Sequence, residues 1–177
     1  MPCRALVLSC ATGALGLVGC AGSPGPGSAP AVADVPSPPG DAFAATVERV
    51  VDGDTVIARR DGQQLRVRLI GIDAPESVQP DAPVECFGPE AAGALERLLP
   101  AGTRVNAAHQ AAGPVDRFGR ALWDVWLQDG RFVQAELVAQ GAVEARAYGP
   151  HTQHADLLDR LEDAARSDES GLHGVCR

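Results

Sequence analysis

The sequence predicts an α+β protein, mostly β, built as a small five-stranded barrel that carries three helices. Three observations lead there. Five short β-favouring runs succeed one another at close to hairpin spacing, Asp-Gly pairs punctuate them, and helical patterns accumulate late instead of alternating with strands as a doubly wound sheet requires.

Residues 42–51 (AFAATVERVV) form the first strand, ended by Asp52-Gly53, a strong hairpin signal, and residues 54–58 resume as the second. Asp61-Gly62 turns the chain into residues 64–72, where Leu65, Val67 and Leu69 alternate with Arg66 and Arg68 before both faces become apolar. These strands make a meander. A Pro-rich loop spans 77–86, and Gly88-Pro89-Glu90 opens a helix with Pro and an acid in its first turn. That helix runs to about Leu99, where Pro100-Ala101-Gly102 stops it. Residues 103–109 and 120–127 are the fourth and fifth strands, the latter alternating Leu122, Asp124 and Trp126 with Trp123 and Val125. The second helix spans 132–140 and stops at Gly141. In the third, over 153–166, Ala155, Leu157, Leu158, Leu161, Ala164 and Ala165 recur at helical spacing. Trp123, Trp126 and the leucines of the third helix are core candidates.

Ahead of this domain, assigned to 42–177, stand two segments of other character. Residues 1–19 read as a secretory signal: Arg4, an apolar run too short to span a bilayer, then small residues. Leu17-Val18-Gly19-Cys20 resembles the bacterial lipobox, which makes Cys20 the expected lipidated N-terminus of an exported, membrane-anchored protein facing the extracytoplasmic side. Residues 20–41, rich in Ala, Gly, Ser and Pro, bury too little surface to offset their ordering entropy and are expected as a disordered tether. Export leaves two of the five cysteines, Cys86 and Cys176, which in an oxidising compartment can pair or stand as free thiols; pairing is expected, because it pins a C-terminus that would otherwise fray.

The 177 residues are 45% hydrophobic and 4% aromatic, enough for one modest domain, and no apolar run reaches the roughly 20 residues of a membrane span. All 15 basic residues are arginine, against 23 acids; the net charge of -8 argues against charge-driven coating of nucleic acid, so any phosphate site must be locally basic. Hard oxygen ligands and guanidinium groups concentrate in Asp52-Gly53-Asp54-Thr55, in residues 68–76 (RLIGIDAPE) and in Asp116-Arg117-Phe118-Gly119-Arg120. That composition suits phosphodiester hydrolysis, which needs a cation to polarise phosphate, donors that tighten as charge grows, and a proton acceptor for water.

In order and spacing, VDGDTV, RLIGIDAPE, GPEA, DRFGR and the Gln-Gly after the second helix resemble the staphylococcal nuclease (thermonuclease) family across about residues 42–174. The resemblance implies an OB-fold, a five-stranded Greek-key barrel with three α-helices, and Ca2+-dependent hydrolysis of DNA and RNA to 3'-phosphate products by a monomer. It implies that Asp54, Asp73 and the backbone carbonyl of Ala74 ligate Ca2+, that Arg68 and Arg120 grip the scissile phosphate, and that Glu76 is the general base. By the same resemblance, Asp52 would support the ligands from behind. Arg117, Phe118 and Tyr148 fall at or beside positions that bind nucleotide in the family, with Ala74 replacing a threonine and Phe118 a tyrosine. Strand parity puts Arg68 and Asp73 on opposite faces unless Gly71 marks a bulge, which is expected.

Other readings stand beside these. Asp52 and Asp54 alone could be turn residues; Arg66 reads as a solvated face, and 116–120 could be a salt-bridged loop. His151 and His154 form an H-x-x-H without further ligands and read as surface residues; His109 and His173 read as structural or exposed. A non-catalytic OB-fold nucleic-acid-binding module, or an envelope interaction lipoprotein with an acidic groove, is the alternative function. Retention of Asp54, Asp73, Glu76, Arg68 and Arg120 weighs against it.

Overall fold

β1 (Phe43–Asp52), β2 (Thr55–Arg60) and β3 (Gln63–Leu69) form the expected meander in a computed structural model that describes residues 35–77 and 83–176. The expected signal peptide, the lipidation at Cys20 and most of the tether lie outside the described residues. After the meander come β4 (Ile72–Asp73), α1 (Gly88–Leu98), β5 (Arg104–Ala108) and β6 (Ala121–Leu127). β6 lies parallel to β3 and antiparallel to β5, which pairs with β1 and closes the barrel in the order β1-β2-β3-β6-β5. Closure leaves no free edge along the barrel. Val47, Val56, Val67, Val105 and Val125 are at most 1% exposed in one core, each worth about 1.5–3 kcal/mol of burial.

Helices cover β6 and β1. α2 (Val133–Ala139) is buried along nearly its whole length against β6, where the Gln134 side chain takes up two backbone groups: Val125 N–H donates to its Oε1 (3.2 Å) and its Nε2 donates to the Trp123 carbonyl (3.0 Å). α3 (Ala155–Ser167) lays Leu157, Leu158, Leu161 and Ala165 against this layer, and α1 buries Ala91, Ala94 and Leu95 beside β1. α4 (Leu172–Val175) is a single turn beyond the three expected helices. It carries Cys176 to Cys86, with which it forms a disulfide across 90 residues of sequence. Among the described residues no helix is long and apolar enough to cross a membrane.

Three expectations are refined. Residues 64–72 are not one bulged strand: the chain turns at Ile70-Gly71, with Gly71 at φ 80°, and β4 begins a second sheet with β7 (Glu144–Ala145). The turn, not a bulge, brings Asp73 round to the side of Arg68. Gly53, by contrast, is needed for a close approach: a Cβ there would lie 2.7 Å from Ala74 Cβ and 2.8 Å from Ala91 Cβ, so α1 and the strand after Gly71 seat directly on the β1–β2 turn. Finally, the end of the expected tether lies on the barrel, with Val35 partly buried and the Pro36 carbonyl accepting from Trp126 Nε1 (2.6 Å).

Candidate functional site

The β1–β2 turn, the Gly71 turn, the loop at 115–120 and the segment at 148–151 surround one open cleft of about 820 Å3. Antiparallel pairing sets Thr55 opposite Arg68, so the guanidinium emerges next to the Asp54 carboxylate. Arg68 Nη2 lies 3.0 Å from Asp54 Oδ2 and 3.0 Å from Asp73 Oδ1, and Nη1 donates to the Leu69 carbonyl (2.8 Å). Asp54 is further fixed by Thr55 Oγ1, which donates to Oδ1 (2.8 Å), and by Ala74 N–H, which donates to Oδ2 (3.0 Å). Asp52, behind them, accepts from Gly53 N–H (2.9 Å) and Ser77 Oγ (2.6 Å). Burial pushes its carboxyl above the usual range; those two bonds oppose the rise, while the charges of Asp54 and Glu76 add to it.

Glu76 lines the same cleft, anchored by its backbone: its N–H donates to Glu85 Oε2 (2.9 Å) and its carbonyl accepts from Glu85 N–H (2.9 Å). Glu85 precedes Cys86, so this two-bond clamp ends at the disulfide.

The opposite lip is made differently. Asp116 accepts from the N–H groups of Phe118 (2.8 Å) and Arg120 (2.9 Å) and from Arg120 Nε (2.7 Å). Burial pushes Asp116 up, but the Arg120 side chain and the two N–H groups outweigh it and hold its carboxyl below the usual range. The salt-bridged loop and the cleft-lining arginine are thus the same structure. Phe118 stands 68% exposed, with the guanidinium carbons of Arg117 and Arg120 at 4.7 and 5.6 Å from its ring centroid. Tyr148 faces them from the 148–151 segment, its ring 5.6 Å from the Arg68 guanidinium. Burial, then a hydrogen bond to Asp73, raises its phenol pKa.

Every catalytic, metal-ligating and nucleotide-binding residue expected from the sequence lines this cleft, where the acids Asp52, Asp54, Asp73, Glu76 and Asp116 share the wall with Arg66, Arg68, Arg117 and Arg120. The lip at 115–120 sets Arg117 and Arg120 against Asp116. Sequence reasoning missed Glu85 as a clamp and Arg146, whose Nη1 lies 2.7 Å from Asp73 Oδ2, whereas the salt-bridged reading of 116–120 is the Asp116–Arg120 brace. The signal for Arg146 is a two-residue strand pairing, too short to carry a pattern.

His151 and His154 depart from the surface positions expected of them, whereas His109 and His173 are structural, one of the two readings the sequence offers. His154 is not a surface residue: its side chain is 11% exposed, packed 5.0 Å from the Phe132 ring with Nε2 3.5 Å from the buried Asp124, because the start of α3 docks over β6. His151 is half-buried at the cleft, and its Nδ1 has no hydrogen-bond partner among the described residues. His109 donates to or accepts from neighbours through both ring nitrogens, and His173 is buried.

Among the described residues no group of three or more His, Cys, Asp and Glu side chains is gathered around a metal position. What the cleft offers is two carboxylates that converge on one guanidinium nitrogen, each 3.0 Å away. Anionic oxygens so focused on a single cationic atom fit a hard divalent ion completed by carbonyl and water oxygens.

Residues 66–173 match the family described as staphylococcal nuclease homologue. A thermonuclease of Staphylococcus intermedius is 37% identical over 126 residues, 71% of this chain and 73% of that protein. A thermonuclease of Staphylococcus hyicus is 35% identical over 120 residues, covering 68% and 69%. Endonuclease YncB of Bacillus subtilis (strain 168) is 30% identical over 128 residues, covering 72% of this chain and 60% of that one.

Proposed function

The chain belongs to the staphylococcal nuclease family, and from that premise we infer that it is a hydrolytic nuclease which requires Ca2+ and cuts DNA and RNA to 3'-phosphate products. One observation carries the reading: Asp54, Asp73, Glu76, Arg68 and Arg120, on separate turns and strands, all line one cleft. A binding module has no need of that convergence.

Asp54, Asp73 and the Ala74 carbonyl are the groups that would hold the cation, which would supply positive charge to polarise a phosphoryl oxygen and to acidify water. Arg68, with three bonds to fixed acceptors, has donors left for a phosphate and cannot drift. Arg120, braced by Asp116, grips the same group from the other lip. Both interactions strengthen as negative charge builds on the equatorial oxygens, which lowers the barrier and not merely the binding energy. Glu76 takes the proton of the attacking water; the new P–O bond forms as the bond to the 5'-oxygen breaks, and that oxygen leaves with a proton from solvent. Phe118 and Tyr148 give bases two rings to stack on, which favours a single strand.

Outside the cleft, the reading is an exported monomer anchored through lipid on Cys20 and working on the extracytoplasmic side. The lipobox-like run supports it, and so does the Cys86–Cys176 disulfide, which suits an oxidising compartment. Detergent phase partitioning checks the anchor: the exported wild type enters the detergent phase and Cys20→Ser stays in the aqueous one. The catalytic reading is tested by incubating the purified chain with labelled DNA and RNA, with calcium or with EGTA. Calcium-dependent fragments with free 5'-hydroxyl ends, which polynucleotide kinase labels directly, are expected; fragments ending in 5'-phosphate contradict it.

A further inference from the structure

Arg66, Arg68 and Arg120 line the same cleft and differ in what holds them. Side chains alternate along β3, so Arg66 and Arg68 leave the face opposite the buried Val67 and Leu69. Arg68 is buried against Asp54 and Asp73, and Arg120 is braced by Asp116. Arg66 is exposed and makes no hydrogen bond or ion pair among the described residues. Its cross-strand neighbour on β2 is Ile57, which offers no counter-charge. Alternation alone reads Arg66 as a solvated face; the loop at 115–120 and the start of β6 turn that face into cleft wall.

Strand register gives Arg66 a place relative to the scissile phosphate. Along β2, Ile57 stands opposite Arg66 and Thr55 opposite Arg68, so Asp54 lies at the end of the row away from Arg66, and the 3.0 Å contact of Arg68 with Asp73 belongs to that end too. Those acids repel a second phosphate. A nucleic-acid strand whose scissile phosphate sits on Arg68 therefore continues past Arg66. The two arginines are a two-residue step apart on β3, about 6.6 Å, comparable to the distance between successive phosphates of an extended strand. In a chain of net charge -8, a guanidinium that lines the cleft without an acid partner favours an anionic group of the ligand at that spot.

Resting on the nuclease reading above, we propose that Arg66 binds the phosphodiester next to the scissile one and so makes the enzyme favour longer strands over a substrate with a single phosphodiester. Its planar fork suits two oxygens of one phosphate. Standing one phosphate away from the reacting centre, it acts on strand binding and not on the barrier.

Arg66→Gln in the full chain separates this subsite from a solvated charge. Fluorescence anisotropy with a labelled single-stranded octanucleotide in EGTA shows affinity about fivefold weaker, the scale of one exposed ion pair. The slope of log affinity against log salt becomes shallower by about 0.7, as loss of one phosphate contact on a single strand requires. Steady-state cleavage in calcium shows KM about fivefold higher on the octanucleotide with kcat within about twofold, and kcat/KM within about twofold of wild type on a dinucleotide that has only the scissile phosphodiester. Arg66→Lys, which keeps the charge, retains the wild-type salt slope. Arg104→Gln, which removes another exposed arginine on β5 outside the cleft, stays within about twofold of wild type on both substrates. Unchanged octanucleotide affinity and KM in Arg66→Gln, an equal loss on the dinucleotide, or an equal loss in Arg104→Gln overturns the subsite while leaving the nuclease reading intact. Wild type that cuts neither substrate in calcium overturns both.

Discussion

Arg68 and Arg120 line the same cleft on different physical terms. Arg68 is 7% exposed and tied to two carboxylates and a carbonyl, whereas Arg120 sits on a lip with a single carboxylate partner and the 68% exposed Phe118 beside it. The buried wall grows out of the barrel: Asp54 and Thr55 belong to the turn between two strands, and Ala74 and α1 close on Gly53. The lip grows out of loops. A wall made of barrel is organised before substrate arrives, so its groups act on the barrier; on the lip, Arg120 is fixed by Asp116 and acts on the barrier too, while the exposed Phe118 acts on binding.

Substitution of Arg68 is the strongest way to break that contrast. Arg68→Ala lowers kcat by about 1,000-fold or more, since it deletes a preorganised donor to the transition state. It also destabilises the fold by about 3 kcal/mol, because Asp54 is left buried without its cation. Urea titration beside steady-state kinetics reads both effects. Arg120→Ala and Glu76→Gln each lower kcat by about 100-fold, the first by removing a phosphate donor and the second by removing the proton acceptor. Calorimetry then separates them from ligand loss, since calcium affinity is unchanged in Arg120→Ala and falls in Asp54→Ala.

Smaller effects sharpen the contrast. The double variant Cys86→Ser/Cys176→Ser loses about 2–4 kcal/mol of stability and, because Cys86 follows the Glu85 clamp on Glu76, about threefold in kcat. Phe118→Ala raises KM a few-fold with kcat unchanged, as loss of a stacking ring on the lip requires.

Asp52 gives the pH signature of the buried wall. Its carboxyl is raised in the fold, chiefly by burial, so the protonated form is favoured there and ionisation weakens the native state. Its contribution is therefore fully present below the ordinary carboxylate pKa and is lost as pH rises through the raised value. Asp52→Asn, which keeps an acceptor for Gly53 and Ser77, is more stable than wild type at neutral pH, and the gain vanishes in acid. Asp116 on the lip runs the other way: with its carboxyl lowered, its support is present above the ordinary carboxylate range and is lost as pH falls through the lowered value. Thermal melts of Asp52→Asn and Asp116→Asn across pH check both signs.

What the sequence made legible follows the same division. The barrel was readable because Leu65, Val67 and Leu69 alternate on one strand and Gly88-Pro89-Glu90 announces a helix, and the cleft-lining residues were readable because the motifs keep their order. Local pattern could not reveal what depends on distant segments meeting. Gly53 looked like a turn glycine until Ala74 and Ala91 closed on it. Arg146 had no signal because it reaches Asp73 through strands of two residues, and His154 looked like a surface residue because the docking of α3 over Phe132 and Asp124 is a tertiary event.

One measurement tests the buried wall most directly: single-turnover cleavage of a labelled single-stranded DNA by the full chain, wild type beside Arg68→Ala, in calcium and then in excess EGTA, with calcium affinity taken calorimetrically on the same samples. Wild type cuts in calcium and stops in EGTA, while Arg68→Ala, folded and still binding calcium, cuts slower by about 1,000-fold or more. Cleavage by wild type that persists in EGTA, no cleavage in calcium, or a folded Arg68→Ala that cuts at the wild-type rate would contradict the account.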